Sequence, residues 1–133
     1  MSTAKKKFIL IDDEPIFNFI HEKIVGLSWC ADEIRAFVTC EDALDYLAAQ
    51  SNDTESEYII LLDINMPVTN GFEFLRRYET LPREGKNKIY IYMLTSSLNP
   101  QDKIESKKFA TVTGFFTKPL SQADVSRLCE SAV

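Results

Sequence analysis

Three aspartates close two apolar runs. Tyr58 to Leu62 is an unbroken apolar stretch that ends on Asp63, and Phe8 to Ile11 ends on Asp12 and Asp13. Runs of this kind form strands buried on both faces, and packing gives no reason to finish them on carboxylates. Carboxylates gathered at one sheet edge repel one another unless a cation neutralises them. Oxygen ligands without His or Cys select Mg²⁺, which commonly bridges carboxylates to phosphoryl oxygens. Two further groups complete a reaction set: Thr95 after the apolar run from Ile89 to Leu94, and Lys118 after Phe115, Phe116 and Thr117. Lys118 can neutralise one phosphoryl oxygen and the Thr95 hydroxyl can hydrogen-bond another. Asp63 is then placed to act as a nucleophile in in-line phosphoryl transfer, and water can later remove the group.

Positioning these residues requires strand ends that share one edge. The apolar period switches repeatedly between short continuous runs and helical spacing, as βα units around a parallel sheet require. Strands are expected near 7–11, 33–38, 58–62, 88–94 and 114–116, with helices between them. The fold class is therefore α/β, a doubly wound five-stranded parallel sheet with helices on both faces, and ligands bind such sheets outside the carboxyl ends of the strands. Helix starts are marked by Thr39 with Asp42, Asn70 with Glu73, Asn99 with Pro100 and Asp102, and Ser121 with Asp124, while Pro15 suits a first turn. Ile16, Phe19, Ile20, Lys23, Ile24 and Leu27 share one stripe of the first helix. Leu44, Leu47 and Ala48 share one of the second, and both stripes are expected to face the core.

The chain has 133 residues, 45% hydrophobic, which suits a single soluble domain over 1–133. A net charge of −5 and a pI near 4.9 argue against a nucleic-acid surface, which needs clustered Lys and Arg. Lys5, Lys6 and Lys7 read as a solvated lead-in to the first strand. No secretory h-region and no stretch of membrane-spanning length occurs, so no membrane insertion and a cytoplasmic location are expected. Cys30, Cys40 and Cys129 are odd in number and lack CxxC spacing. Reduced, partly buried thiols are expected rather than a disulfide.

The order of these motifs resembles the receiver domain of two-component response regulators, from Lys7 to about Leu128. The resemblance rests on Asp12 and Asp13, on Asp63 through Pro67 followed by Asn70 and Gly71, on Thr95 with Ser96, and on Lys118 with Pro119. It implies the flavodoxin-like strand order 2-1-3-4-5 and Asp63 as phosphoacceptor. It also implies Mg²⁺ held by Asp12, Asp13, Asp63 and the Asn65 carbonyl, with Asp12 acting through water, and a cis Lys118–Pro119 bond. The implied switch moves Thr95 onto the phosphoryl group and turns Phe115 inward. Phe lacks the hydroxyl of Tyr, so an inward-leaning equilibrium is expected. The signalling face is the helix near 100–110, the fifth strand and the last helix. The implied partners are a sensor histidine kinase or histidine phosphotransfer protein and a downstream protein target, with no output domain after the last helix.

Departures and alternatives bound this reading. Ser96 stands where Ala is frequent and Thr69 where an apolar residue is frequent, and Asn65 and Ser97 occupy positions that tune hydrolysis in similar proteins. Phe17 and His21 are candidates for a partner helix, or simply for packing. Phe72 and Phe74 read as packing. A receiver-like scaffold acting without phosphorylation is the main alternative. A Mg²⁺ phosphohydrolase is disfavoured because Asn65 cannot transfer the proton that an Asp two residues past the nucleophile would. An FMN site is weaker still, because the loop after the first strand is acidic and lacks phosphate donors.

Overall fold

In the computed structural model, residues 5–50, 55–64, 71–80, 89–95 and 111–131 are described, with 100, 101, 104, 108 and 109. The strands are β1 (Lys6–Ile11), β2 (Glu33–Phe37), β3 (Glu57–Asp63), β4 (Ile89–Thr95) and β5 (Val112–Thr117). The described helices are α1 (Pro15–Leu27), α2 (Cys40–Ala49), α3 (Gly71–Glu79) and α4 (Gln122–Ser131). All strand pairs are parallel, in the order β2-β1-β3-β4-β5. The β1 to β2 connection turns one way from β1, and β3 continues the sheet on the other side. The switch point therefore lies between β1 and β3, where Asp12 and Asp63 end their strands.

Side-chain alternation divides the interior into two cores, one on each face of the sheet. Ile9, Ile11, Tyr58, Ile60, Leu62, Ile91 and Met93 point toward α2 and α3, meeting Leu47, Phe74, Leu75 and Tyr78. Phe8, Leu10, Ile59, Leu61 and Leu94 point the other way, toward Val25 of α1 and Val125 and Leu128 of α4. This two-sided burial explains why β1, β3 and β4 read as continuous apolar runs. Phe72 and Phe74 are core residues, as expected. Among the described residues, no helix is long and apolar enough to cross a membrane.

Local signals at the helix starts are realised where they can be followed. Thr39 Oγ1 accepts from the Asp42 amide at 3.1 Å. Ser121 and Asp124 form a reciprocal capping box, at 3.1 Å and 3.0 Å. Pro15 occupies the first turn of α1. Asn65, Thr69, Asn70, Ser96, Ser97, Asn99 and most of the helix expected near 100–110 lie outside the described residues.

Four sequence-based expectations are corrected. The apolar stripe of α1 only partly faces the core: Ile16, Phe19 and Leu27 are 58%, 56% and 62% exposed, Ile20 and Ile24 are half-buried with Ile24 packed on the core, and Asn18, His21 and Val25 are the fully buried residues. The polar residues turn inward because they have backbone partners there. Asn18 Nδ2 donates to the Asp12 and Phe37 carbonyls, and His21 Nε2 accepts from the Leu120 amide. On α2, Ala48 is exposed and Ala43 takes its place in the core. β1 begins one residue earlier than expected, at Lys6, and neither it nor Lys7 is simply solvated: Lys6 Nζ reaches the Cys129 carbonyl at 2.7 Å and Lys7 lies over the Tyr58 ring. Finally, Cys30 and Cys129 are disulfide-bonded, with Cα atoms 6.1 Å apart across 99 residues of sequence. Packing of α4 beside α1 creates that proximity, which linear spacing does not encode. Cys40 is not disulfide-bonded, and burial pushes its pKa up to about 12.

One glycine fixes the approach of α3 to the end of β3. A Cβ on Gly71 would lie 2.9 Å from the Asp63 carbonyl oxygen and 3.1 Å from the Ile64 Cα, both main-chain atoms. The Gly71 amide also donates to the Ile64 carbonyl at 3.0 Å. Gly71→Ala is expected to push α3 away from the strand end and cost about 1–3 kcal/mol, read as a lower urea midpoint with an unchanged slope.

Candidate functional site

The register of β1 on β3 pairs Ile11 with Leu62, so the next residues, Asp12 and Asp63, emerge side by side. Asp13 follows directly. One carboxylate oxygen from each of the three lies within 4.8 Å of the others. Asp12 and Asp63 are almost fully buried, and Asp13 is half-buried. The turn after β1 is held by the Glu14 amide donating to Asp12 Oδ1 at 2.9 Å and the Asp12 amide donating to the Phe37 carbonyl at 3.0 Å.

Lys118 supplies the counter-charge. Its side chain is 4% exposed, and Nζ lies 3.0 Å from Asp12 Oδ2 and 3.5 Å from Asp63 Oδ1. Its ammonium also sits 4.1 Å from the Phe17 ring centroid, a cation–π contact. Its main chain is tied down on both sides: the Lys118 amide donates to the Thr95 carbonyl at 2.8 Å, and the Lys118–Pro119 bond is cis, as expected. Thr95 ends β4 with its side chain buried, one residue past the Asp63 to Leu94 pairing. β4, β3 and β1 thus deliver hydroxyl, carboxylate and carboxylate along one edge, and the turn after β5 delivers the ammonium.

Three carboxylates against one ammonium leave the cluster two negative charges in excess. Asp13 Oδ1 is buried and accepts no hydrogen bond among the described residues. An orphaned carboxylate oxygen in an acidic, all-oxygen cluster is what a hard divalent cation needs, so the residues fit Mg²⁺. Asp12, Asp13, Asp63 and Lys118 are therefore brought together as the sequence predicts. Thr95 stands at the same edge. Phe115 lies on β5 opposite Met93, partly buried against the α2–α3 core. Asn65 lies outside the described residues.

Sequence reasoning missed the supporting role of α1. Phe17 and His21 read as candidates for a partner helix or for packing, and the packing alternative holds: Phe17 lies against the Lys118 ammonium and stacks obliquely on His21 at 6.0 Å. Asn18, not singled out at all, buttresses the Asp12 turn. The available signal was the helical spacing of Asn18, His21 and Val25, a second face whose polar members need interior partners.

His21 gives this support a pH dependence. Burial lowers its pKa from 6.5; Asp12 opposes the shift, and Lys118 adds to it. The unfolded chain therefore takes up a proton near the ordinary value, while the folded chain resists until lower pH. Stability is then full above about 6.5 and falls as pH drops through that value toward the folded pKa. The urea midpoint is expected to decline between about pH 7 and pH 5.5, above the main carboxylate range, and to be flat across that window in His21→Gln.

The sequence matches the response regulator receiver domain family over residues 8–130. An uncharacterized response regulatory protein of Vibrio cholerae is 28% identical over 123 residues, 92% of this chain and 42% of that protein. The chain thus spans about two-fifths of the length of that curated relative. A response regulator receiver protein from Dyadobacter fermentans superposes with a TM-score of 0.86 at 28% identity, covering 96% of this chain and 97% of that one. A two component response regulator from Cytophaga hutchinsonii does so with a TM-score of 0.87 at 28% identity, covering 97% of each. With this strand order, the aspartate cluster at the switch point and the match over nearly its whole length, the chain belongs to the response regulator receiver domain family.

Proposed function

We propose that the chain takes a phosphoryl group onto Asp63 from a phosphohistidine, carried by a sensor histidine kinase or a histidine phosphotransfer protein, and signals to a downstream protein target. The observation that carries this reading is the buried Lys118 ammonium shared between Asp12 and Asp63, beside an Asp13 oxygen that accepts no hydrogen bond among the described residues. An Asp63 carboxylate oxygen attacks phosphorus as the phosphorus–nitrogen bond breaks, and the departing imidazole takes a proton from water. Lys118 holds a phosphoryl oxygen by point charge, and the Thr95 hydroxyl hydrogen-bonds another. Asp12 (through water), Asp13 and Asp63 would hold Mg²⁺, with the Asn65 carbonyl as a further ligand, and the ion would supply neutralisation of phosphoryl charge.

Release is by water, so the chain catalyses only its own phosphorylation and dephosphorylation. Thr95 and Phe115 form the switch, and the signalling face comprises the segment near 100–110, β5 and α4. Phe115 already packs against the α2–α3 core, which favours the inward arrangement expected of a residue without a polar tip. A cytoplasmic location accords with a kinase donor.

Intact mass after incubation with acetyl phosphate tests the reading. One phosphoryl adduct is expected in the native chain with Mg²⁺, and none without Mg²⁺ or in Asp63→Ala. No adduct, together with no binding of beryllofluoride, would leave a phosphorylation-independent scaffold. Lys118→Ala is expected to slow adduct formation about 10²-fold. It should also lower the unfolding free energy by about 3 kcal/mol in Mg²⁺-free buffer, because the acids lose their buried counter-charge, and added Mg²⁺ should restore part of that loss.

A further inference from the structure

The Cys30–Cys129 pair lies at the opposite end of the sheet from the acidic cluster. Cys30 precedes the start of β2, and Cys129 sits in the last turns of α4. A disulfide is usually needed where a small domain cannot build a sufficient core, yet this chain has an apolar core on each face of its sheet. Both cysteines are half-buried at the margin of the α1–α4 core rather than enclosed within it.

The surroundings also favour opening. Ser28 Oγ, which donates to the Val25 carbonyl at 2.5 Å, lies 3.5 Å from Cys30 Sγ and can turn its proton toward a sulfur that becomes anionic. The Lys6 ammonium is anchored on the Cys129 carbonyl, placing a cation beside the second cysteine.

We propose that Cys30 and Cys129 form a reversible thiol–disulfide exchange site that sets how firmly the C-terminal half of α4 is held. A low-molecular-weight thiolate such as glutathione attacks Cys129 Sγ. The protein disulfide breaks, a mixed disulfide forms on Cys129, and Cys30 leaves as a thiolate beside Ser28. A second thiolate attacks the sulfur of the bound small thiol. Cys129 is released and protonated, and the small thiols depart as their own disulfide. Two electrons pass from two small thiols to the protein pair, and closure is the reverse. Opened, α4 keeps the buried Val125 and Leu128 and its Ser121–Asp124 cap, but loses its covalent tie to the segment after α1.

The test equilibrates the full chain in mixtures of reduced and oxidised glutathione, quenches in acid, and labels the unfolded protein with N-ethylmaleimide. Of three cysteines, Cys40 labels in either form, so the closed pair gives one adduct and the open pair three. Complete, reversible passage between one and three adducts is expected across millimolar mixtures. Amides of 126–131 should exchange hydrogen about tenfold faster in the reduced chain and in Cys30→Ser, with β3 unchanged. One adduct in excess reduced glutathione would make the bond a permanent staple, and three in oxidised glutathione would deny the pair. Equal α4 exchange in both forms would show that the helix does not respond. Any of the three overturns the proposal, and none depends on phosphorylation.

Discussion

A buried ammonium among carboxylates is the constraint from which the rest of the site follows. Asp12 and Asp63 are forced together by strand register, and burial removes the water that would otherwise separate their charges. Lys118 makes that arrangement tolerable, at 3.0 Å and 3.5 Å from the two acids. A buried ion pair contributes little net stability, but an uncompensated buried charge is costly. The lysine therefore has to be delivered reliably, and much of the local architecture does so: the Thr95 carbonyl takes its amide, the Phe17 ring backs its head group, and His21 holds the next turn through Leu120.

The compensation is deliberately incomplete in charge terms. One ammonium cannot balance three carboxylates, and the residual negative charge is concentrated where Asp13 has an oxygen with no hydrogen-bond partner among the described residues. A fully neutral cluster would be a structural ion network with no use for a metal. This cluster keeps a deficit matching a divalent ion, and Gly71 brings the backbone of α3 close against the Asp63 end of β3 without a side chain between.

Much of this was legible in the sequence because parallel strands buried on both faces leave continuous apolar runs, and Asp12, Asp63 and Thr95 punctuate their ends. Strand order and the cis Lys118–Pro119 bond came from resemblance rather than periodicity. What stayed hidden was tertiary. Hydrophobic period located α1 but set its inner face off by part of a turn: Ile24 packs on the core as expected, while Ile16, Phe19 and Leu27 face out and Asn18, His21 and Val25 face in. Only the backbone partners of Asn18 and His21 decide which face turns inward. Cys30 and Cys129 were likewise unreadable as a pair, because their proximity depends on helix packing across 99 residues.

The orientation of α1 gives one helix two unlike faces. Its inner residues are tied to the acid turn, the lysine and the loop after it, so a change there reaches the site. Its outer residues, Ile16, Phe19 and Leu27, are more than half exposed to solvent. Substitution of an exposed residue away from buried polar contacts usually changes stability by less than about 0.5 kcal/mol, so the outer surface of this helix can be altered chemically while the hydrogen bonds beneath it stay in place.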